Sequence, residues 1–176
     1  MSAPVRPAVP ADGSRVPVSP RGHTAERVVD RAGLEEAWAL RTRVFVVEQQ
    51  VPLEEEIDAL DTAATTTHVL VRDASGAVVA TGRLLTDPAH VGEVHVGRVA
   101  VDGTTRGTGV GALLMRALED LALAEHAGPD GTVRSELSAQ VQAIGFYERV
   151  GYVVDGPVYL DAGIEHRDAT KVLGAS

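Results

Sequence analysis

The 176-residue chain is predicted to be one mixed α/β (α+β) domain, a mostly antiparallel sheet of about six or seven strands flanked by helices. Three observations predict it. Short Val- and Thr-rich runs alternate in part with polar residues and are bounded by turn chemistry. Between them lie stretches whose apolar residues recur at helical spacing. Their order is strand, helix, several strands, helix, strand, helix, strand, which is neither a regular βα alternation nor a meander alone.

Residues 1–22 hold most of the prolines, with Ser, Gly and Arg between them. Such a composition cannot bury a core, so a disordered tail is expected ahead of a single domain at 23–176. Ala25–Asp30 is the first candidate strand. Gly33–Val47 reads as a helix with Leu34, Ala37, Trp38, Arg41 and Phe45 roughly on one face, Trp38 and Phe45 being expected core anchors. Pro52 ends that segment. Glu54–Asp61 is acidic: a solvated face, or the wall of a pocket for a cationic amine. Thr67–Arg72 and Ala77–Leu85 flank Asp73-Ala74-Ser75-Gly76 and form a hairpin. Glu93–Val101 is the next strand. A long helix is expected from about Thr108 to His126, a strand at Val133–Ser138, and a second helix at Gln140–Val150 capped by Gly151. Tyr152–Asp155, Tyr159–Leu160 and Ile164–Leu173 supply the remaining strands.

Composition narrows the function. The net charge is −9, which argues against a nonspecific binder of nucleic acid or anionic membrane. There is no cysteine, hence no disulfide, thiolate nucleophile or cysteine metal site. The histidines show no metal-ligand spacing, and the acidic run fits no calcium loop. No apolar run approaches the roughly 20 residues of a membrane span, and residues 1–22 lack a signal-peptide core. The expected location is cytoplasmic.

The chemistry gathers at Val99-Ala100-Val101-Asp102-Gly103-Thr104-Thr105-Arg106-Gly107-Thr108-Gly109-Val110-Gly111: a strand end, a polar turn, a glycine-rich loop and a helix start. Bare backbone there admits a ligand closely, and the free N–H groups of a helix N-terminus favour phosphate. Arg106 adds a full charge. Three readings compete: a tight turn, a weak dinucleotide fingerprint in Gly107-x-Gly109-x-x-Ala112, and Arg-x-x-Gly-x-Gly at Arg106–Gly111.

The third pattern resembles the coenzyme A pyrophosphate loop of the GNAT acetyltransferases. Two further segments share the resemblance. Ala143-x-x-Phe146-Tyr147-x-x-x-Gly151-Tyr152 is similar to the family's A-x-x-F-Y-x-x-x-G-F segment. Arg43-x-Phe45-Val46-Val47-Glu48-Gln49, with Asp58, Asp61, His68 and Gly163-Ile164-x-His166, is similar to the ElaA/YjcF-like bacterial subgroup. The resemblance covers roughly residues 30–170. It implies a sheet splayed between its fourth and fifth strands, those of Val99 and Val133, to admit the pantetheine arm. It implies acetyl-coenzyme A as donor, held by backbone groups of Val99, Ala100 and Val101 and by Arg106, Gly107, Thr108, Gly109, Val110 and Gly111. The acceptor is then a small-molecule or peptide amine, attacked directly in a ternary complex. A non-catalytic acyl-coenzyme-A-binding domain on the same fold is the alternative, and a homodimer is left open.

The resemblance makes Tyr147 the general acid for the leaving thiolate, and a phenol of pKa about 10 is protonated at neutral pH. His95 stands where some members carry a glutamate base, four residues before Val99. On an unbulged strand the two share a face, and a pKa of about 6.5 suits a base. Glu48 and Glu93 are alternatives. His68 and His166 are candidate pocket residues, and Arg98 is expected to fix structure.

Overall fold

In the computed structural model, which describes residues 22–174 and the backbone of Val16–Pro17, an eight-stranded sheet runs in the order β1-β2-β3-β4-β5-β6-β8-β7. The two-residue β1 (Val16–Pro17) is one strand more than the sequence predicts. Apart from that pair and Gly22, the expected tail lies outside the described residues. β2 (Thr24–Arg27), β3 (Thr66–Arg72), β4 (Val78–Thr86) and β5 (Glu93–Val101) follow, all antiparallel. β6 (Val133–Gln140) then lies parallel to β5. β8 (Ile164–Leu173) separates β6 from β7 (Val153–Asp161) at the edge. With β1 counted, the expected parting of the fourth and fifth strands falls between β5 and β6.

That parting is visible in the register. β5 and β6 pair only from Glu93↔Arg134 to Val96↔Leu137. Beyond that point β5 stays on β4 while β6 stays on β8, through Gln140↔His166. A β-bulge sits at the fork. Arg83 faces Gly97 but Thr81 faces Ala100, so β5 carries one residue more than β4. Arg98 takes up the distortion at a left-handed φ of 51°. Gly82 stands opposite the bulge, where an added Cβ would lie 2.9 Å from Leu118 Cδ1. Glycine therefore lets the next helix sit close.

That helix, α3 (Val110–His126), is the expected long one, starting two residues late. Its apolar stripe of Val110, Leu113, Leu114, Ala117, Leu118 and Leu121 is buried against the sheet and forms the main core with Val69, Val71, Leu84, Val94 and Val96. α1 (Arg31–Arg41) is capped by Asp30, whose carboxylate accepts from Gly33 N at 2.8 Å. It widens into a π-helical stretch, Thr42–Glu48, closed by Gln49 N donating to Val44 O. Its end covers Ala100 with Leu40 and Val44 in a smaller core. The predicted second helix is shorter than expected: a 3-10 turn over Val141–Ala143 leads into α4 (Ile144–Arg149).

Two sequence expectations need correction. Trp38 is not a core anchor: it is half-buried, its indole N–H donates to Asp61 at 3.0 Å, and Arg31 lies 4.7 Å over its ring. Nor is the acidic stretch simply solvated. The short α2 (Leu53–Glu56) and a 3-10 turn (Ala59–Thr62) carry Glu56 and Asp61 inward, each 3% exposed. Arg41, 1% exposed, donates to Glu56 at 2.7 Å and to Asp61 at 2.8 Å. Arg83 reaches Asp61 at 2.9 Å and Asp58 at 2.7 Å. Arg98 binds the Glu55 and Glu56 carbonyl oxygens and Asp58, which ties α2 to the bulge and bears out its structural role. These acids are neutralised by arginines, so Glu56 and Asp61 offer a cationic ligand little attraction.

Candidate functional site

A cleft of about 990 Å³ opens where β5 and β6 part. Its walls are the π-helical end of α1 with Phe45 and Glu48, β5 from His95 to Val101, the loop before α3, β6 from Leu137 to Gln140, α4, and the β7–β8 turn. Two of its lining residues, Gln49 and Gln140, bond reciprocally through their amides at 2.8 and 3.3 Å.

One end of the cleft is lined by bare backbone and an arginine. Gly107 and Gly109 have φ of 75° and 88°, and an added Cβ at either would meet nothing within 4 Å. Both are glycine for backbone conformation alone. Gly111 is glycine for space: its Cβ would press on the Phe146 ring at 3.1 Å. Gly109 caps α3 with no side-chain hydrogen bond, so the capping residue itself offers no acceptor to the first amides of this 17-residue helix. Arg106 is half-exposed. Its Nε donates to Val101 O at 3.2 Å and its Nη2 to Glu48 at 2.7 Å.

Of the predicted cofactor residues, Val99, Val101, Arg106, Gly107, Gly109 and Gly111 line the cleft. Ala100, Thr108 and Val110 do not. Ala100 is buried under α1, Val110 is buried in the main core, and Thr108 bonds back to Thr105 O. The expectation that His95 and Val99 share a face fails because of the bulge. Gly97 stays with His95, whose Cδ2 lies 4.0 Å from the Gly97 Cβ position, whereas Val99 Cγ2 turns to the α3 side near Gly82. Both still border the cleft because the gap itself is the border.

Tyr147 is 8% exposed and lines the cleft from α4. It packs edge-on against Phe146 and Tyr152, with ring centroids at 5.0 and 6.0 Å. Burial pushes its pKa up to about 12, and among the described residues its hydroxyl makes no hydrogen bond. His95 is exposed within the cleft yet surrounded by protein. That loss of hydration holds its pKa below 6.5, against the pull of Glu136 and Asp168 and with Arg83 helping. Glu48 lines the cleft but is engaged by Arg106, and Glu93 does not line it. His68 is structural: it is buried and its Nε2 bonds Asp61 O at 2.9 Å. His166 does reach the cleft, with Nδ1 on Ile164 O at 2.7 Å. Among the described residues no group of His, Asp or Glu could hold a metal ion, and no helix is long and apolar enough to cross a membrane.

Sequence reading named Gln49 only within a motif and missed Gln140 and Ser138, all three of which line the cleft. The alternation in β6, with Ser135, Leu137 and Ala139 inward and Glu136, Ser138 and Gln140 on the other face, carries the signal that could have found the last two. At the loop, Gly109→Ala is expected to lower coenzyme A affinity about tenfold or more in calorimetry, because a Cβ at that φ strains the turn holding the amides.

Comparison with known proteins shows the family and the fold. Residues 28–173 match the family model described as an acetyltransferase (GNAT) domain. The chain is 38% identical over 139 residues to YjcF of Bacillus subtilis (strain 168), carrying an N-acetyltransferase name, covering 78% of this chain and 91% of that one. An acyl-CoA N-acyltransferase from Pseudomonas aeruginosa superposes with a TM-score of 0.70 at 34% identity, over 85% of this chain and 97% of the other. Escherichia coli ElaA gives 0.68 at 30% identity, over 82% and 97%. The open cradle of amides at Gly107–Gly111 fits the pyrophosphate that such a donor carries. With loop, fork and tyrosine in one cleft and most of the chain matched by the family model, the chain belongs to the GNAT acetyltransferase family and is an N-acetyltransferase with acetyl-coenzyme A as donor.

Proposed function

We propose that the enzyme transfers the acetyl group to a primary amine by direct attack in a ternary complex, with His95 as base and Tyr147 as donor to the leaving sulfur. One observation carries the reading. The glycine-capped start of α3, the edge of β5 that β6 leaves beyond Val96, and a tyrosine hydroxyl without a hydrogen bond among the described residues all border one cleft. The donor supplies a thioester, whose carbonyl is the electrophile. The amides of Gly109 to Gly111 and Arg106 hold the diphosphate, for which Arg106 exchanges its Glu48 partner. The edge of β5 from Gly97 to Val101 offers main-chain groups to the extended arm and an N–H to the oxygen as charge develops. Alignment of the two reactants supplies much of the acceleration.

His95, neutral at neutral pH, removes a proton from the entering ammonium. Tyr147 stays protonated across the working range and donates to the sulfur as the C–S bond breaks. The phenol then recovers a proton from the nitrogen, so it is unchanged over the cycle.

The test is release of free thiol from acetyl-coenzyme A with spermidine, 2-phenylethylamine, Nα-acetyl-lysine amide and a peptide with a free N-terminus. Turnover with at least one supports the reading. Cofactor binding without turnover on any overturns it. With an active amine, kcat should fall as the pH drops through the His95 pKa, below 6.5, because only the neutral imidazole accepts a proton. His95→Gln should flatten that limb.

A further inference from the structure

The face of β6, β8 and β7 opposite the one that carries Ser135, Leu137 and Ala139 holds a chain of hydroxyls ending in a carboxylate. Ser138 on β6 lines the cleft, and its hydroxyl is bonded to that of Tyr159 on β7. The Tyr159 hydroxyl donates to Asp168 Oδ1 on β8 at 2.7 Å. Asp168 is exposed to solvent. Direction follows from proton counting. Tyr159 has one proton and gives it to the carboxylate, so Ser138 must donate to Tyr159. The Ser138 oxygen is then left with only lone pairs to offer the cleft. A serine hydroxyl is ordinarily two-way; this one is fixed as an acceptor by a negative charge two bonds away.

Its place matters. Val96↔Leu137 is the last β5–β6 pair, and Ser138 is the next residue of β6. Strand alternation puts Ser138 on the face of Glu136, which pairs with His95. Ser138 and His95 thus stand on opposite banks of the fork, and Tyr159 is held in place by stacking on His166 at 6.1 Å.

Resting on the acetyl-transfer reading, we infer that Ser138 is the oxygen that docks the acceptor nitrogen through one of its N–H groups, and that Tyr159 and Asp168 are positioning residues that make it a one-way acceptor. The protons balance. An entering ammonium carries three on nitrogen. One leaves to solvent through His95, one ends on the sulfur through Tyr147, and one stays on the amide nitrogen; Ser138 holds the one that stays. The N–C bond forms, the C–S bond breaks, and no further reactant is needed. The site therefore takes acceptors whose nitrogen arrives with protons to donate, and it disfavours groups that present only lone pairs.

The experiment uses the full chain, acetyl-coenzyme A and whichever of the four amines the wild type turns over fastest. Ser138→Ala and Tyr159→Phe should each raise the acceptor KM about tenfold or more, with a smaller fall in kcat, because a hydrogen bond to a charged group is lost. Coenzyme A affinity should be unchanged, which also reports correct folding. The double variant should lose no more than Ser138→Ala alone, since Tyr159 acts only through that oxygen. Unchanged acceptor KM, additive losses, or an equal rise in the coenzyme KM overturns the docking role while leaving acetyl transfer standing. A wild type that turns over none of the amines overturns acetyl transfer and the docking role with it.

Discussion

Replacing Tyr147 by phenylalanine is expected to lower kcat by about a hundredfold or more, within the range for loss of a positioned proton donor. Coenzyme A affinity should hardly move. The ring's contacts with Phe146 and Tyr152 survive the change, and the hydroxyl has no partner among the described residues to leave stranded. Stability should likewise hold, because removing the hydroxyl breaks no hydrogen bond among the described residues. The pH profile sharpens the test. Burial raises the Tyr147 pKa to about 12, so the wild type should show no alkaline loss from phenolate formation over the usual working range. Steady-state kinetics with an active amine and calorimetry with coenzyme A decide it. A variant that keeps wild-type turnover removes Tyr147 from the mechanism.

The largest stability effect is expected at Arg41. It lies 1% exposed between Glu56 and Asp61, with Nη2 on the Glu56 carbonyl at 2.6 Å. Arg41→Met leaves two carboxylates buried with one partner fewer and should destabilise the fold by about 3–5 kcal/mol, read from urea unfolding. Acid titration should expose the same network. Burial by itself would raise the Asp61 pKa, but Arg41, Arg83 and the Trp38 N–H overcome it and hold the carboxyl at about 2. A depressed carboxylate stabilises the fold above its unfolded pKa, and that contribution is lost as the pH falls from 3.8 toward about 2. Glu56 runs the other way. Burial outweighs Arg41 there and raises its pKa, so its contribution diminishes as the pH rises past 4.5. The acid sensitivity therefore belongs to Asp61 and Asp58, and Arg41→Met should reduce the Asp61 part. An unfolding free energy equal to wild type would show that the network is not holding α2 to the sheet.

The network also explains how much of this site the sequence reveals. Gly107 and Gly109 are legible because each meets a local demand, a left-handed turn, whereas the room Gly111 leaves beside the Phe146 ring is a tertiary demand. Phe146 and Tyr147 are legible because the short segment Ala143–Tyr152 that holds them resembles the family's motif. The β8 strand matches its expected limits, Ile164–Leu173, because alternation and its bounding glycines are local properties too. Arg98, Ser138 and Asp168 look unremarkable in one dimension. Their roles depend on which strand lies alongside, and no local pattern encodes that.

What the sequence by itself determined is the order of strands and helices and the bare, glycine-rich loop at Gly107–Gly111; Tyr147 is singled out only by the family resemblance. The tertiary structure alone decided three things: that a bulge at Arg98 turns Val99 away from the face of His95, that Glu56, Asp58 and Asp61 are paired with arginines, and that Ser138, Tyr159 and Asp168 meet across three strands. The physical reason is range. Turn geometry and helical period act over a few neighbouring residues, whereas strand register, burial and charge pairing join residues far apart along the chain and exist only once it has folded.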